Sequence, residues 1–248
     1  MSGIDKITPE PDKLPLLSIQ NIHKCFGYKQ VLKGVSFDLI GGQMTLLAGR
    51  NGAGKSTLIK ILAGLMRPSQ GDLRFNSKPL TEVADKYRES FGLITHQTLF
   101  YDDLTAKENL LFFGKLRKIK NLKSTIDHVL AKTGLQKAAD LQVKAFSTGM
   151  GKRLNIARIM MSQPSLLFLD EPYSGLDLDS ITMLNRYLET FKREGGAVLL
   201  ISHQIDACYD KCDQVALLID GRVDEIQSTS ELNQKDLQRQ FQSEQPGT

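Results

Sequence analysis

Cysteine is scarce in this chain: Cys25, Cys208 and Cys212 are all it has in 248 residues. An odd, sparse set supplies no disulfide framework, and reduced thiols of a cytosolic protein are the plain reading. Cys208 and Cys212 stand four apart and resemble, with His203, a metal cluster only loosely, because the spacing matches no compact zinc pattern. Long apolar runs are also missing. With no uninterrupted apolar stretch of about 18 residues, the sequence predicts no membrane-spanning helix, and work at a membrane would need another chain to do the crossing. The opening MSGIDKITPEPDKLP has no apolar core and does not read as a signal peptide. Polar and carrying three prolines, residues 1–15 read as a flexible tail. Basic blocks are absent as well. The 32 basic and 28 acidic residues leave a net charge of +4 spread along the chain, which gives no argument for nucleic acid as a partner.

What is present reads as one large domain. Apolar residues make up 41% and charged residues 24%, the balance of a soluble globular chain, and the length leaves room for an inserted lobe. LLSIQNIHKCF alternates apolar and polar residues as a half-buried strand does. VLKGVSFDLIGGQMTLLAG predicts two further strands turned at Gly41-Gly42, and STLIKILAGLM repeats apolar residues at helical spacing. Pro68 and Gly71 bracket a turn, after which GDLRFN and FGLITHQ read as strands. From Thr105 to about residue 163 the pattern is helical, opening on a capping box formed by Thr105 and Glu108. An inserted helical lobe is expected over about 98–163. SLLFLDEP and AVLLISH are short, continuously apolar runs that suit parallel strands buried on both faces. The helical SITMLNRYLETFKR lies between them and ends at Gly195-Gly196, and VALLIDGRVDEI reads as a hairpin turned at Asp-Gly. The domain is expected to span 16–225, with a Gln-rich polar tail over 226–248 and no internal repeat.

The stretch with chemistry in it is GRNGAGKST, residues 49–57, between apolar MTLLA and helical LIKILAGL. It fits G-x-x-x-x-G-K-[ST] through Gly49, Gly54, Lys55 and Ser56, with Asn51, Gly52 and Ala53 completing the loop. Glycines let backbone amides turn inward as a concave nest for phosphate oxygens, and the following helix adds the positive end of its dipole. Lys55 can reach the β- and γ-phosphates, Ser56 can bind Mg²⁺, and Thr57 adds a hydroxyl near the α-phosphate. The nine residues are therefore read as the cradle of a nucleoside triphosphate, a loop that a kinase, a GTPase and a motor could share. The second half of the site narrows the choice. SLLFLDE is a buried strand ending in two carboxylates: Asp170 at its tip is placed to hold Mg²⁺ through water, and Glu171, where the chain leaves the strand, to polarise an attacking water.

FSTGMGKR, beginning at Phe146 just before a helix, resembles the signature segment of ATP-binding-cassette (ABC) ATPases, usually written LSGGQ. The family's other segments stand around it in order: Phe26 where an aromatic meets adenine, Gln97 after a strand, SGLD at 174–177, and His203 closing AVLLISH. The resemblance covers about residues 16–225. It implies an α/β fold, a P-loop NTPase of ABC type with a mostly parallel core sheet, an antiparallel β part and an inserted helical subdomain. It further implies that two copies, or this chain and a related ABC subunit, pack head to tail with ATP between them. Ser147 and the Gly149 amide of one copy would then face the γ-phosphate held by the other. His203 would hold the γ-phosphate and orient the water and Glu171, Asp177 would carry information between sites, and Gln97 would sense Mg²⁺ and link the site to the lobe. Phe26 also reads as plain core, with Tyr28 as a rival for the adenine stack. His23, His96 and His128 read as structural or surface residues.

Two positions depart from the common signature: Thr148 replaces the first glycine of the pair and Met150 the glutamine. Thr148 is expected to add bulk where the partner's nucleotide approaches. Tyr173 stands in the segment after Glu171 where a smaller residue is frequent. A single cassette without a long coiled-coil insertion leaves an ATPase that pairs with integral membrane transport subunits, peripheral on the cytoplasmic side of the inner membrane. THQ, YDDLTAKENL and FSTGM resemble the ATP-binding subunit of the haem exporter of cytochrome c maturation. The alternatives are an ABC-2-like exporter of another cargo, a drug, lipid or polysaccharide, and, from a different class, a soluble cassette ATPase acting as an assembly scaffold without transport.

Overall fold

The computed structural model describes residues 14–95, 99–202 and 208–231. In chain order the elements are β1 (Pro15–Phe26), β2 (Lys29–Ile40), β3 (Met44–Ala48), α1 (Lys55–Leu62), β4 (Gln70–Phe75), β5 (Lys78–Pro79), α2 (Leu80–Ser90) and β6 (Phe91–Ile94). There follow α3 (Ala106–Leu116), α4 (Leu122–Lys132), α5 (Thr148–Ser162), β7 (Leu166–Asp170), α6 (Leu178–Arg193), β8 (Ala197–Ile201), β9 (Gln214–Ile219) and β10 (Arg222–Ser228).

Among the described residues the strands form two sheets. One is antiparallel, in the order β2-β1-β4-β5; the other runs β10-β9-β3-β8-β7-β6 and is parallel except for β10. Every residue of β3, β7 and β8 is buried, as the unbroken apolar runs require of parallel strands covered on both sides. Strand alternation divides their side chains. Phe168 and Leu199 face a core shared with α1 and the antiparallel sheet, whereas Leu167 and Leu200 face one shared with α6. A third core ties α3 and α4 to α5 and makes the helical lobe.

Local signals set the ends of elements. Thr105 Oγ1 accepts from the Glu108 amide at 3.1 Å and Glu108 Oε2 from the Thr105 amide at 2.8 Å, completing the capping box. The hairpin β9–β10 turns at Asp220 and Gly221, both in the left-handed region, as a two-residue turn of this kind demands. Its tip packs on β2, where Lys33 N–H donates to Gly221 O at 2.7 Å and a Cβ on Gly221 would meet Val31 O at 2.3 Å. β10 runs on to Ser228, past residue 225. Helix α2 lies in a stretch with no expected element. Tyr87 alone of its residues is buried, the helix kinks at Val83, and its composition is polar.

Candidate functional site

The fold brings the C-terminal ends of β3, β8 and β7 side by side, and the glycine loop leaves β3 there. Gly49 is required by close approach: a Cβ would come 2.4 Å from Leu218 O on β9. Gly52 and Gly54 have φ of 83° and 109°, which L side chains rarely adopt. Gly54 stands at the N-cap of α1, so no side chain caps that helix and its first amides are left to face the space in front of the loop. Lys55 is 8% exposed. Its Nζ turns back to donate to Gly49 O at 2.5 Å and Arg50 O at 3.0 Å. Burial lowers its pKa, and the carboxylates of Glu171 and Asp170 oppose that shift.

Asp170 ends β7 opposite Ile201 of β8, and the Glu171 amide extends the ladder by donating to Ile201 O at 2.9 Å. Both carboxylates are buried. Glu171 has φ of 53°, a left-handed conformation that costs a residue with a Cβ roughly 1 kcal/mol or more. A cavity of about 460 Å³ separates the loop, from Asn51 to Thr57, from Asp170 and Glu171. The Ser56 hydroxyl and the Asp170 carboxylate thus line one space, and these hard oxygen donors fit Mg²⁺. Val31 of β2 also lines it, a residue the sequence reading did not single out. A larger cavity, about 1130 Å³, opens between α4 and α6 and contains none of these groups.

The remaining candidates lie elsewhere. Ser147 caps α5, accepting from the Met150 amide at 3.2 Å, and neither it nor Gly149 lines the loop cavity. A Cβ on Gly149 would meet nothing nearer than 3.9 Å, so packing within the chain does not demand glycine there. The Thr148 methyl is directed at Gly175, and Met150 packs against the lobe core, so the chain's own packing absorbs both departures from the common signature. Asp177 caps α6, accepting from the Ser180 amide at 2.8 Å, and pairs through both oxygens with Arg153 at 2.7 and 3.0 Å. Hydrogen bonds from the Ser180 hydroxyl and amide, then from Arg153, hold its carboxyl down at about 2. Tyr173 is fully buried and donates to Asn185 Oδ1 on α6 at 2.8 Å, which accounts for a large residue in that segment. Phe26 is half exposed at the end of β1, with the Lys24 ammonium 5.2 Å from its ring centre; it is not in the cavity wall, and Tyr28 is fully exposed. Cys208 and Cys212 are buried in the core beside α6. Gln97 and His203 lie outside the described residues.

A strand, an inward-turned glycine loop and an uncapped helix, facing two carboxylates at the tip of the next strand but one, define a P-loop nucleoside-triphosphate-binding protein. The family profile described as ABC transporter matches residues 32–174. The chain belongs to the ABC transporter family and is an ATP-binding protein of that family, carrying its ATPase domain. It is 35% identical over 225 residues to the uncharacterized ABC transporter ATP-binding protein YdbJ of Bacillus subtilis, covering 89% of this chain and 73% of that one. It is 33% identical to the linearmycin resistance ATP-binding protein LnrL of Bacillus subtilis, over 88% and 70% of the two chains. It is 32% identical to the cytochrome c biogenesis ATP-binding export protein CcmA of Haemophilus influenzae, over 76% and 89%. A solved ATP-binding subunit of an ABC transporter superposes with a TM-score of 0.82 at 28% identity, covering 90% of this chain and 94% of that one.

Proposed function

We propose that the chain is the ATP-hydrolysing subunit of an exporter and works as a head-to-tail pair on the cytoplasmic face of the cell membrane, against separate integral membrane subunits. The loop amides from Gly52 to Thr57 bind the phosphates, and Lys55 leaves its parking place on Gly49 O and Arg50 O to meet the β- and γ-oxygens. Ser56 and Asp170, together with Gln97, would hold Mg²⁺, which would supply charge neutralisation at the phosphates. Glu171 polarises the attacking water and His203 orients it. Ser147 and the Gly149 amide of the partner copy close the site over the γ-phosphate, so that ATP glues the pair and hydrolysis loosens it.

One observation carries this reading. The phosphate loop and Glu171 share a cavity, while Ser147 and Gly149, at the start of another helix, stand outside it. Membrane attachment through other chains is in keeping with the absence, among the described residues, of a helix able to cross a bilayer. Haem export, suggested by THQ, YDDLTAKENL and FSTGM, is one cargo class among relatives whose names also include linearmycin resistance, and the membrane partner selects among them. The test is capture from native membranes by the Glu171→Gln chain in the presence of ATP. An integral membrane protein retained only with nucleotide is expected. Full ATPase activity with no membrane partner in any fraction would assign the chain to the soluble scaffold class.

A further inference from the structure

The start of α5 grips the loop that leaves Glu171. The Thr148 methyl lies 3.6 Å from where a Cβ on Gly175 would sit. Lys152, one turn further along the same face of the helix, donates its ammonium to Ser174 O. Arg153 holds Asp177 through both carboxylate oxygens and reaches Ser180 Oγ at 2.6 Å. The loop so held starts at the left-handed Glu171, whose amide is anchored on Ile201 O, and Ser174 N–H turns back toward Glu171 O at 3.4 Å. A backbone in that conformation persists only where its surroundings fix it. Lys152 is one of the groups that do so, through its bond to the Ser174 carbonyl. Burial lowers the Lys152 pKa while the Glu171 carboxylate works against the shift, so the two charges sense each other.

We infer that Lys152 is a positioning residue for Glu171: its bond to the Ser174 carbonyl fixes the turn that aims the carboxylate at the attacking water. This rests on the proposed role of Glu171. Lys152 does not line the cavity in front of the phosphate loop.

The test is steady-state and single-turnover hydrolysis by the full-length chain with ATP and Mg²⁺. Lys152→Met should lower kcat about tenfold with KM and ATP affinity held within about twofold, the signature of an interaction realised in the transition state. Lys152→Arg, which keeps charge and reach, should recover kcat to within about threefold of wild type. Placed on Glu171→Gln, Lys152→Met should add no further loss, because coupled groups are not additive. Unchanged kcat in Lys152→Met, or the same tenfold loss on top of Glu171→Gln, overturns the inference. Should Lys152→Met not fold, Lys152→Leu, which likewise has no donor for the Ser174 carbonyl, is read by the same criteria. A wild-type chain without hydrolysis, or Glu171→Gln turning over normally, defeats the reading of Glu171 itself; a normal Glu171 with a silent Lys152 defeats the tether alone.

Discussion

The two halves of the site are built in opposite ways. Around the phosphate loop the helix start is left uncapped, the lysine is buried against carbonyls of its own loop, and Glu171 is held in a costly backbone conformation. Around the signature the helix starts are satisfied: Ser147 caps α5, and Asp177 caps α6 and pairs with Arg153. The first half has unmet hydrogen-bonding capacity and charge poised for a ligand, whereas the second is a finished surface that presents a hydroxyl and an amide. The contrast fits one half that grips a nucleotide and another that is offered to a nucleotide held elsewhere.

The contrast can be sharpened by substitution. The largest effects are expected on turnover, where Lys55→Ala should cost at least about 10²–10³ through lost charge stabilisation, as measured by phosphate release. Glu171→Gln should cost about 10²–10⁴ in kcat while ATP binding persists, so the pair should accumulate with ATP in sizing or light-scattering measurements. On the stability side, Leu167→Ala in the fully buried β7 should lower unfolding free energy by about 2–5 kcal/mol in denaturant titrations. The smallest expected effect belongs to the finished half and is pH-dependent. Asp177 has a folded pKa of about 2, below the usual carboxylate range, so its contribution to stability is complete above about pH 4 and fades as pH falls toward 2. Melting curves of Asp177→Asn and wild type should therefore differ most near neutral pH and converge on acidification; a constant difference across that window would place the loss elsewhere.

What could be read from the sequence was what lies contiguously along it. The phosphate loop, the SLLFLDE strand tip, the capping box at Thr105 and the Asp-Gly hairpin each contain their whole signal within a few residues, and each is where it was expected. What escaped depends on contacts between distant segments. Val31 reaches the cavity because β2 packs beside the loop, and Lys152 meets Ser174 because α5 crosses the turn after β7. The nearness of the Thr148 methyl to Gly175 likewise joins segments far apart in sequence. Phe26 was placed by resemblance alone, and the cavity wall does not include it.

The measurement that bears most directly on the division into two halves is hydrolysis by mixed pairs. Ser147→Arg chains retain a working phosphate loop and Lys55→Ala chains a working signature, so each alone should be inactive. If each site joins the loop of one copy to the signature of the other, the mixed pair contains one site with both halves intact. Activity should then reappear on mixing and peak at equal amounts, at about a quarter of the wild-type rate for random pairing of independent sites. No recovered hydrolysis at any ratio would contradict a nucleotide clasped between two copies.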